Sequence, residues 1–166
     1  MPTNTPNSIS FYDFQMTTLD GKIFDFCQLK GKKVMIVNVA SKCGFTPQYQ
    51  QLEELYQKNK DKNFEILGFP SSDFANQEFN ESQEIANFCQ KNYGVTFPIF
   101  EKITVKGQGK HLLYQWLTEK SKNGVQNMPV LWNFQKFIID QKGNWTDYFL
   151  PTTNPSSNKI IKWINS

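Results

Sequence analysis

The chain contains no arginine: all eighteen basic residues of its 166 are lysines, set against fifteen acidic ones. Arginine is the usual bidentate partner of carboxylates and phosphates, so recognition of that kind is excluded. A net charge of +3 without a lysine-rich block gives no nucleic-acid footprint. There is one histidine, His111, with no visible partner, which excludes a histidine metal cluster and leaves no paired catalytic base; it reads as a helix-surface residue. Three cysteines do not make a disulfide framework, and a reducing, cytoplasmic compartment is expected. No apolar run approaches the length of a membrane helix, so no membrane association is expected. Met1–Ser8 is polar, lacks the apolar segment of a secretory signal and reads as a flexible tail. Repeats and low-complexity segments are absent, and the two Asn-x-Ser/Thr sequons read as chance matches in an Asn-rich chain.

What is present is a rich aromatic supply, with fifteen Phe and four Trp, and enough apolar residues for one core. The length suits a single domain, taken as residues 9–166. Val34–Val39 is a β-branched run interrupted only by Asn38, which suits a strand covered on both faces. Ser41–Gly44 is turn-like. Thr46 then reads as an N-cap and Pro47 as the first residue of a helix reaching Lys60. Cys43 therefore stands on a strand-to-helix turn beside Lys42, two features that favour a thiolate. Its alternative is a buried structural cysteine.

Elsewhere, Phe11–Gln15 and Ile23–Phe26 flank an Asp20-Gly21 turn and predict a hairpin. Phe64–Phe69 predicts a second core strand, broken at Pro70 by a polar loop. Asn80 and Gln83 fit a capping box for a helix over about Glu81–Asn92, with Ile85, Phe88 and Cys89 at helical spacing. Phe97–Phe100 is a short extended piece. A helix is expected over His111–Lys120, a loop over Asn123–Pro129, and a second hairpin from Phe134–Asp140 and Trp145–Phe149. A last helix over Ser156–Asn165 carries Ile160, Ile161 and Ile164. Two β–α units followed by a hairpin and a helix predict an α/β fold with a mixed sheet flanked by helices, compatible with a thioredoxin-like core.

Cys43-Gly44-Phe45-Thr46 lacks the second thiol of Cys-x-x-Cys, which excludes disulfide exchange through that motif. A single thiolate there could attack a peroxide, leaving a sulfenic acid that must be reduced before further oxidation. Three segments then carry a resemblance. Asn38–Thr46 resembles the nucleophile segment of the glutathione peroxidase family, Phe69–Glu78 its glutamine loop, and Trp132–Phe137 its third motif. They occur in the family's order, and the likeness covers about Phe11 to Ile164.

The resemblance implies a thioredoxin fold and a catalytic set of Cys43, Gln77, Trp132 and Asn133, with no metal or cofactor. Cys43 would be the nucleophile. The amides of Gln77 and Asn133 and the Trp132 indole are neutral donors able to stabilise a sulfur anion. Taken alone, Trp132 would read as core and the two amides as loop polarity. Where the family usually has Phe-Pro-Cys-Asn-Gln-Phe-Gly, this chain has Phe69-Pro70-Ser71-Ser72-Asp73-Phe74-Ala75. Asp73 would oppose a thiolate if it lay near Cys43; its other reading is a solvated loop carboxylate.

Family members use either glutathione, held by basic side chains, or thioredoxin, with a second cysteine after the glutamine loop. Cys89 is the candidate resolving cysteine, forming a Cys43–Cys89 disulfide that thioredoxin reduces. Its alternative is packing beside Ile85 and Phe88. It precedes Phe97 by eight residues, one more than the familiar spacing, a shift of about 100° on a helix. Bridged Cα atoms lie within about 7 Å, so its helix is expected to unwind locally during turnover. Cys27 reads as a packing residue. The short loop before Pro129 resembles that of monomeric members. Hydroperoxide and thioredoxin are thus the expected partners. The alternatives are a glutathione-dependent enzyme using lysines, and a sensor relaying oxidation from Cys43 to a partner protein.

Overall fold

The structure, a computed structural model, describes residues 9–166; the tail expected over residues 1–8 lies outside them. Two short strands, β1 (Gln15–Thr17) and β2 (Ile23–Asp25), form an antiparallel hairpin. The main sheet takes its strands in the order β4-β3-β5-β6. Strand β3 (Lys33–Val39) pairs parallel with β4 (Phe64–Pro70) and antiparallel with β5 (Lys136–Ile139), which pairs antiparallel with β6 (Trp145–Phe149). The mixed sheet is the one expected from the motif order.

Alternation along buried β3 splits the core in two. Val34 and Ile36 face one side with Leu67, Phe69, Phe137 and Ile139. Met35, Val37 and Val39 face the other with Phe64 and Ile66. A period of two makes this division unavoidable once β3 is central. The first face is covered by α3 (Leu112–Thr118) and the N-terminal segment, through Leu113, Trp116, Phe11 and Phe26. The second is covered by α1 (Gln48–Asn59), α2 (Ser82–Tyr93) and α5 (Asn158–Ile164), through Tyr49, Leu52, Ile85, Ile160 and Ile164. A one-turn helix α4 (Lys120–Asn123) follows α3.

Gly68 shows why β4 has no side chain at that position. Residues 98–100 run against it, with Gly68 N–H donating to Pro98 at 2.9 Å and Phe100 N–H to Gly68 at 3.0 Å. A Cβ there would lie 2.6 Å from the Ile99 side chain. The stacked rings of Phe69 and Phe100, 4.6 Å apart, seal the same seam.

Several local expectations are corrected. Phe11–Asp13 is a 3₁₀ turn with its own Ser10–Asp13 capping box, so the first strand begins only at Gln15. The box expected at Asn80 and Gln83 does not form. Asn80 accepts from Lys102, Gln83 donates to Asn87, and Glu81 occupies the cap position. The helix expected over His111–Lys120 ends at Thr118. His111 is its cap, accepting the Leu113 N–H at Nδ1, and burial keeps the imidazole below its usual range and able to accept. Ile161 is exposed, because α5 presents only Ile160 and Ile164 inward. Cys27 is exposed too: Asp25 caps its N–H and turns it out of the core.

Lys136 is buried in β5, on the face that carries α1. Its ammonium donates to Gln48 Oε1 at 2.6 Å, Thr153 O at 2.6 Å and Pro151 O at 3.2 Å, tying α1 to the turn after β6. Burial pulls this amine down to about 7. Between pH 7 and its unfolded value the unfolded chain then binds the extra proton, so stability rises with pH. The rise approaches about 1.4 kcal/mol per pH unit for one proton. Below pH 7 both states are charged and the slope vanishes. Above pH 9 the raised Cys89 thiol, ionising first in the unfolded chain, acts in the opposite direction. Urea midpoints should therefore climb from pH 7 to 8.5 in the wild type and stay flatter in Lys136→Met; equal slopes would reject the assignment.

Candidate active site

Cys43 lies in the turn between β3 and α1, where the Thr46 side chain does the folding. Thr46 Oγ1 accepts the Cys43 N–H at 2.9 Å and donates to Ala40 O at 2.8 Å, closing the turn on itself. Thr46 is thus not the helix cap that its position suggested. Thr46, Gln48 and Tyr49 N–H groups are taken by the carbonyls of Cys43, Phe45 and Thr46. Pro47 occupies the cap position, and the helix starts at Gln48. Cys43 is buried, with 8% of the residue exposed. The Phe45 N–H points at Sγ from 3.3 Å and offers a donor to a sulfur anion. Lys42, expected to support the thiolate, instead lays its ammonium over the Phe79 ring, 4.5 Å from the centroid.

The glutamine loop is docked on this turn. Lys42 N–H donates to the Gln77 carbonyl at 2.9 Å, placing Gln77 beside the residue that precedes Cys43. The Gln77 side chain in turn accepts from Asn133 Nδ2 at 3.0 Å. Asn133 is fully buried, and its own Oδ1 has no partner. Trp132 is half-buried, packs against Phe74 with centroids 5.3 Å apart, and touches the core cluster that contains Cys43.

Asn38 explains how the third motif reaches the site. This polar interruption of β3 donates from Nδ2 to the Trp132 carbonyl at 3.1 Å, and its backbone oxygen accepts the Phe134 N–H at 2.6 Å. Phe134 takes a φ of 68°, so the chain turns sharply into β5 just after Asn133. The sequence carried a signal for this role in the amide inside an apolar strand.

Asp73 is neither free nor aimed at the sulfur. Its Oδ2 accepts from Ser71 Oγ at 2.9 Å and from Val105 N–H at 2.6 Å. It ties the glutamine loop to the segment after Phe100. The loop then takes two left-handed residues, Ala75 at φ 55° and Asn76 at 51°. Ala75 is exposed and stands where the family has glycine. An alanine there costs about 1–2 kcal/mol, partly offset by its smaller unfolded-state entropy. Ala75→Gly should raise stability by about 0.5–1 kcal/mol without loss of packing. A lower melting temperature for that variant would reject the strain.

Cys89 is buried on α2 at 4% exposure, in the core cluster that also holds Cys43. All three cysteines are free thiols. Burial pushes the Cys89 thiol up to about 11. Tyr49 belongs to the same cluster, and its buried hydroxyl has no hydrogen-bond partner among the described residues.

A family model for glutathione peroxidase matches residues 11–118, well over half of the chain. The chain belongs to the glutathione peroxidase family. The matched span holds Cys43, Gln77 and Cys89; Trp132 and Asn133 lie beyond it. A glutathione peroxidase of Lactococcus lactis is 49% identical over 147 residues, covering 89% of this chain and 93% of that protein. Glutathione peroxidase-like peroxiredoxin 2 of Saccharomyces cerevisiae is 50% identical over 148 residues, covering 89% and 91%. Among solved structures, that of Trgpx in apo form superposes with a TM-score of 0.72 at 37% identity, covering 96% of this chain and 98% of that one. A thioredoxin-family protein from Chlorobium tepidum, at 17% identity and a TM-score of 0.66, shares the fold alone. The fold is thioredoxin-like, and this member of the glutathione peroxidase family is a peroxidase.

Proposed function

We infer that this peroxidase reduces hydrogen peroxide and organic hydroperoxides through Cys43. The Cys43 sulfur attacks one peroxide oxygen, the O–O bond breaks, and the other oxygen leaves as water or alcohol after taking a proton. Cys43 becomes a sulfenic acid. The observation that carries this reading is the Gln77–Asn133 side-chain pair at 3.0 Å, held against the Cys43 turn through the Lys42–Gln77 backbone bond. Neutral amides there, with the Trp132 indole, stabilise the anions of the reaction without pairing the thiolate to a cation.

In the second half, Cys89 attacks the sulfenic acid sulfur, releasing water and forming a Cys43–Cys89 disulfide that thioredoxin reduces. The yeast relative's name, a glutathione peroxidase-like peroxiredoxin, supports a thiol-based cycle. Cys89 sits on a regular helix turn, so α2 opens locally before the bond forms. Lysine, not arginine, lines the glutamine loop, with Lys106 over Phe74 at 4.4 Å and Lys102 on Asn80. These lysines favour glutathione as the second reading. We place the enzyme as a monomeric domain over 9–166 in a reducing compartment; among the described residues no helix is long and apolar enough to cross a membrane.

The test is NADPH consumption with hydroperoxide, coupled through either thioredoxin and its reductase or glutathione and its reductase. Turnover with thioredoxin is the expected result. Turnover with neither reductant would overturn the peroxidase reading at Cys43.

A further inference from the structure

Residues 45–48 form the far half of the Cys43 turn and carry the Phe45 N–H that points at the sulfur. Their backbone bonds are local. Gln48 N–H donates to Phe45 O at 2.8 Å, and the N–H groups of Thr46 and Tyr49 are taken by the Cys43 and Thr46 carbonyls. Thr46 Oγ1 also stays within the turn, between Cys43 and Ala40. Such bonds set the shape of the turn and leave its placement on the sheet to other groups. Among the described residues, one side chain of this stretch hydrogen-bonds beyond the turn and α1, that of Gln48. Its Nε2 donates to Pro151 O at 2.8 Å, and its Oε1 accepts from Lys136 at 2.6 Å.

Packing does not account for a lysine at position 136. The residue is fully buried within the sheet, where Val37 and Phe149 are its cross-strand partners. It belongs to no ion pair among the described residues. Its ammonium meets three neutral oxygens, on Gln48, Pro151 and Thr153. Burying an ammonium without an anion is costly, and an apolar side chain of the same length would fill the space without that cost. What the apolar side chain would lose is the tie to Gln48. Lys136 opens β5, just after Trp132 and Asn133, so this tie joins the Cys43 turn to the strand that carries the third motif.

We propose that Lys136 is a positioning residue for the peroxide step, holding the Phe45 N–H on the Cys43 sulfur through Gln48. This rests on the nucleophilic role given to Cys43 above. The path is continuous: Lys136 Nζ to Gln48 Oε1 at 2.6 Å, Gln48 N–H to Phe45 O at 2.8 Å, and Phe45 N–H to Sγ at 3.3 Å. The donor at its end serves the sulfur anion that attacks the peroxide, and such a bond weakens steeply as it bends. Without Lys136, the Gln48 side chain keeps only its bond to Pro151, and the first turn of α1 loses its tie to β5.

The experiment measures the rate constant for oxidation of reduced Cys43 by hydrogen peroxide, with a haem peroxidase competing for the peroxide, so that no reductant enters. The arms are wild type, Lys136→Met, Gln48→Leu, the double variant and Lys33→Met. Lys33 is also buried, at the opposite end of β3, where its ammonium holds the Trp163 and Ser166 carbonyls. It reports what the loss of a buried lysine does through stability alone. Lys136→Met and Gln48→Leu should each slow oxidation by about tenfold, the low end for a hydrogen bond to a charged group. The double variant should be no slower than the slower single one, because both changes cut one path. Lys33→Met should stay within about twofold of the wild type. A Lys136→Met rate within twofold of the wild type would overturn the proposal, as would an equal loss in Lys33→Met or losses that multiply in the double variant. Should Lys136→Met not fold, an unchanged rate in Gln48→Leu overturns it. A wild type whose Cys43 is not oxidised would overturn the nucleophile and this proposal with it.

Discussion

Cys43→Ser should lose hydroperoxide-dependent turnover by about a thousandfold or more, the scale expected when a covalent nucleophile is removed. A serine hydroxyl is a weak nucleophile unless a base activates it, and no histidine stands in the turn to do so. The Phe45 N–H at 3.3 Å from the sulfur is a donor, which aids an anion but takes no proton away. The substitution is nearly isosteric, and the turn is closed by Thr46 through the Cys43 backbone, so the fold should survive. Coupled NADPH oxidation measures the loss, with circular dichroism confirming the native state. Turnover within tenfold of the wild type would remove Cys43 from the mechanism.

The second large effect is expected at Cys89. Cys89→Ser should lower thioredoxin-coupled turnover by about two orders of magnitude, a modest part of the advantage that an intramolecular thiol provides. One equivalent of peroxide should still be consumed, because the first step uses Cys43 alone. The sulfenic acid, left without its partner, should then pass to sulfinic acid, visible by mass spectrometry. A hydroxyl in place of a thiol at 4% exposure has its own folding cost, so Cys89→Ala serves as a second probe. Full turnover with glutathione, untouched by either change, would sink the resolving assignment and establish the glutathione reading.

The sheet was legible because the strongest patterns lie on its parallel pair, β3 inside the sheet and β4 beside it. Val34–Val39 and Phe64–Phe69 have no polar alternation, and a strand buried on both faces requires none. Boundaries were less legible where two local solutions compete. Thr46 has the side chain of an N-cap, yet its hydroxyl is more useful between Cys43 and Ala40, since backbone carbonyls already serve the first helical N–H groups. Asn80 and Gln83 have the spacing of a capping box, yet Lys102 and Asn87 claim them. Cys27 follows Phe26 into the core in sequence, but the Asp25 cap turns it to solvent.

By itself the sequence determined the chemistry on offer: a single thiol on a strand-to-helix turn, an amide in one motif and an indole with a second amide in another, a second thiol on a helix, and no arginine. Those facts depend on residue identity and short-range order alone. Tertiary structure decided which of these groups meet. The Gln77–Asn133 bond joins positions 56 residues apart, and Asn38 reaches 94 residues along the chain to hold Trp132. Contacts of that kind depend on how the sheet brings β3 against β5, which no local pattern encodes. The same packing buries Cys89 on α2 and strips it of water. Burial is a property of the assembled core, so the proton chemistry of the second cysteine emerges only once the chain is folded.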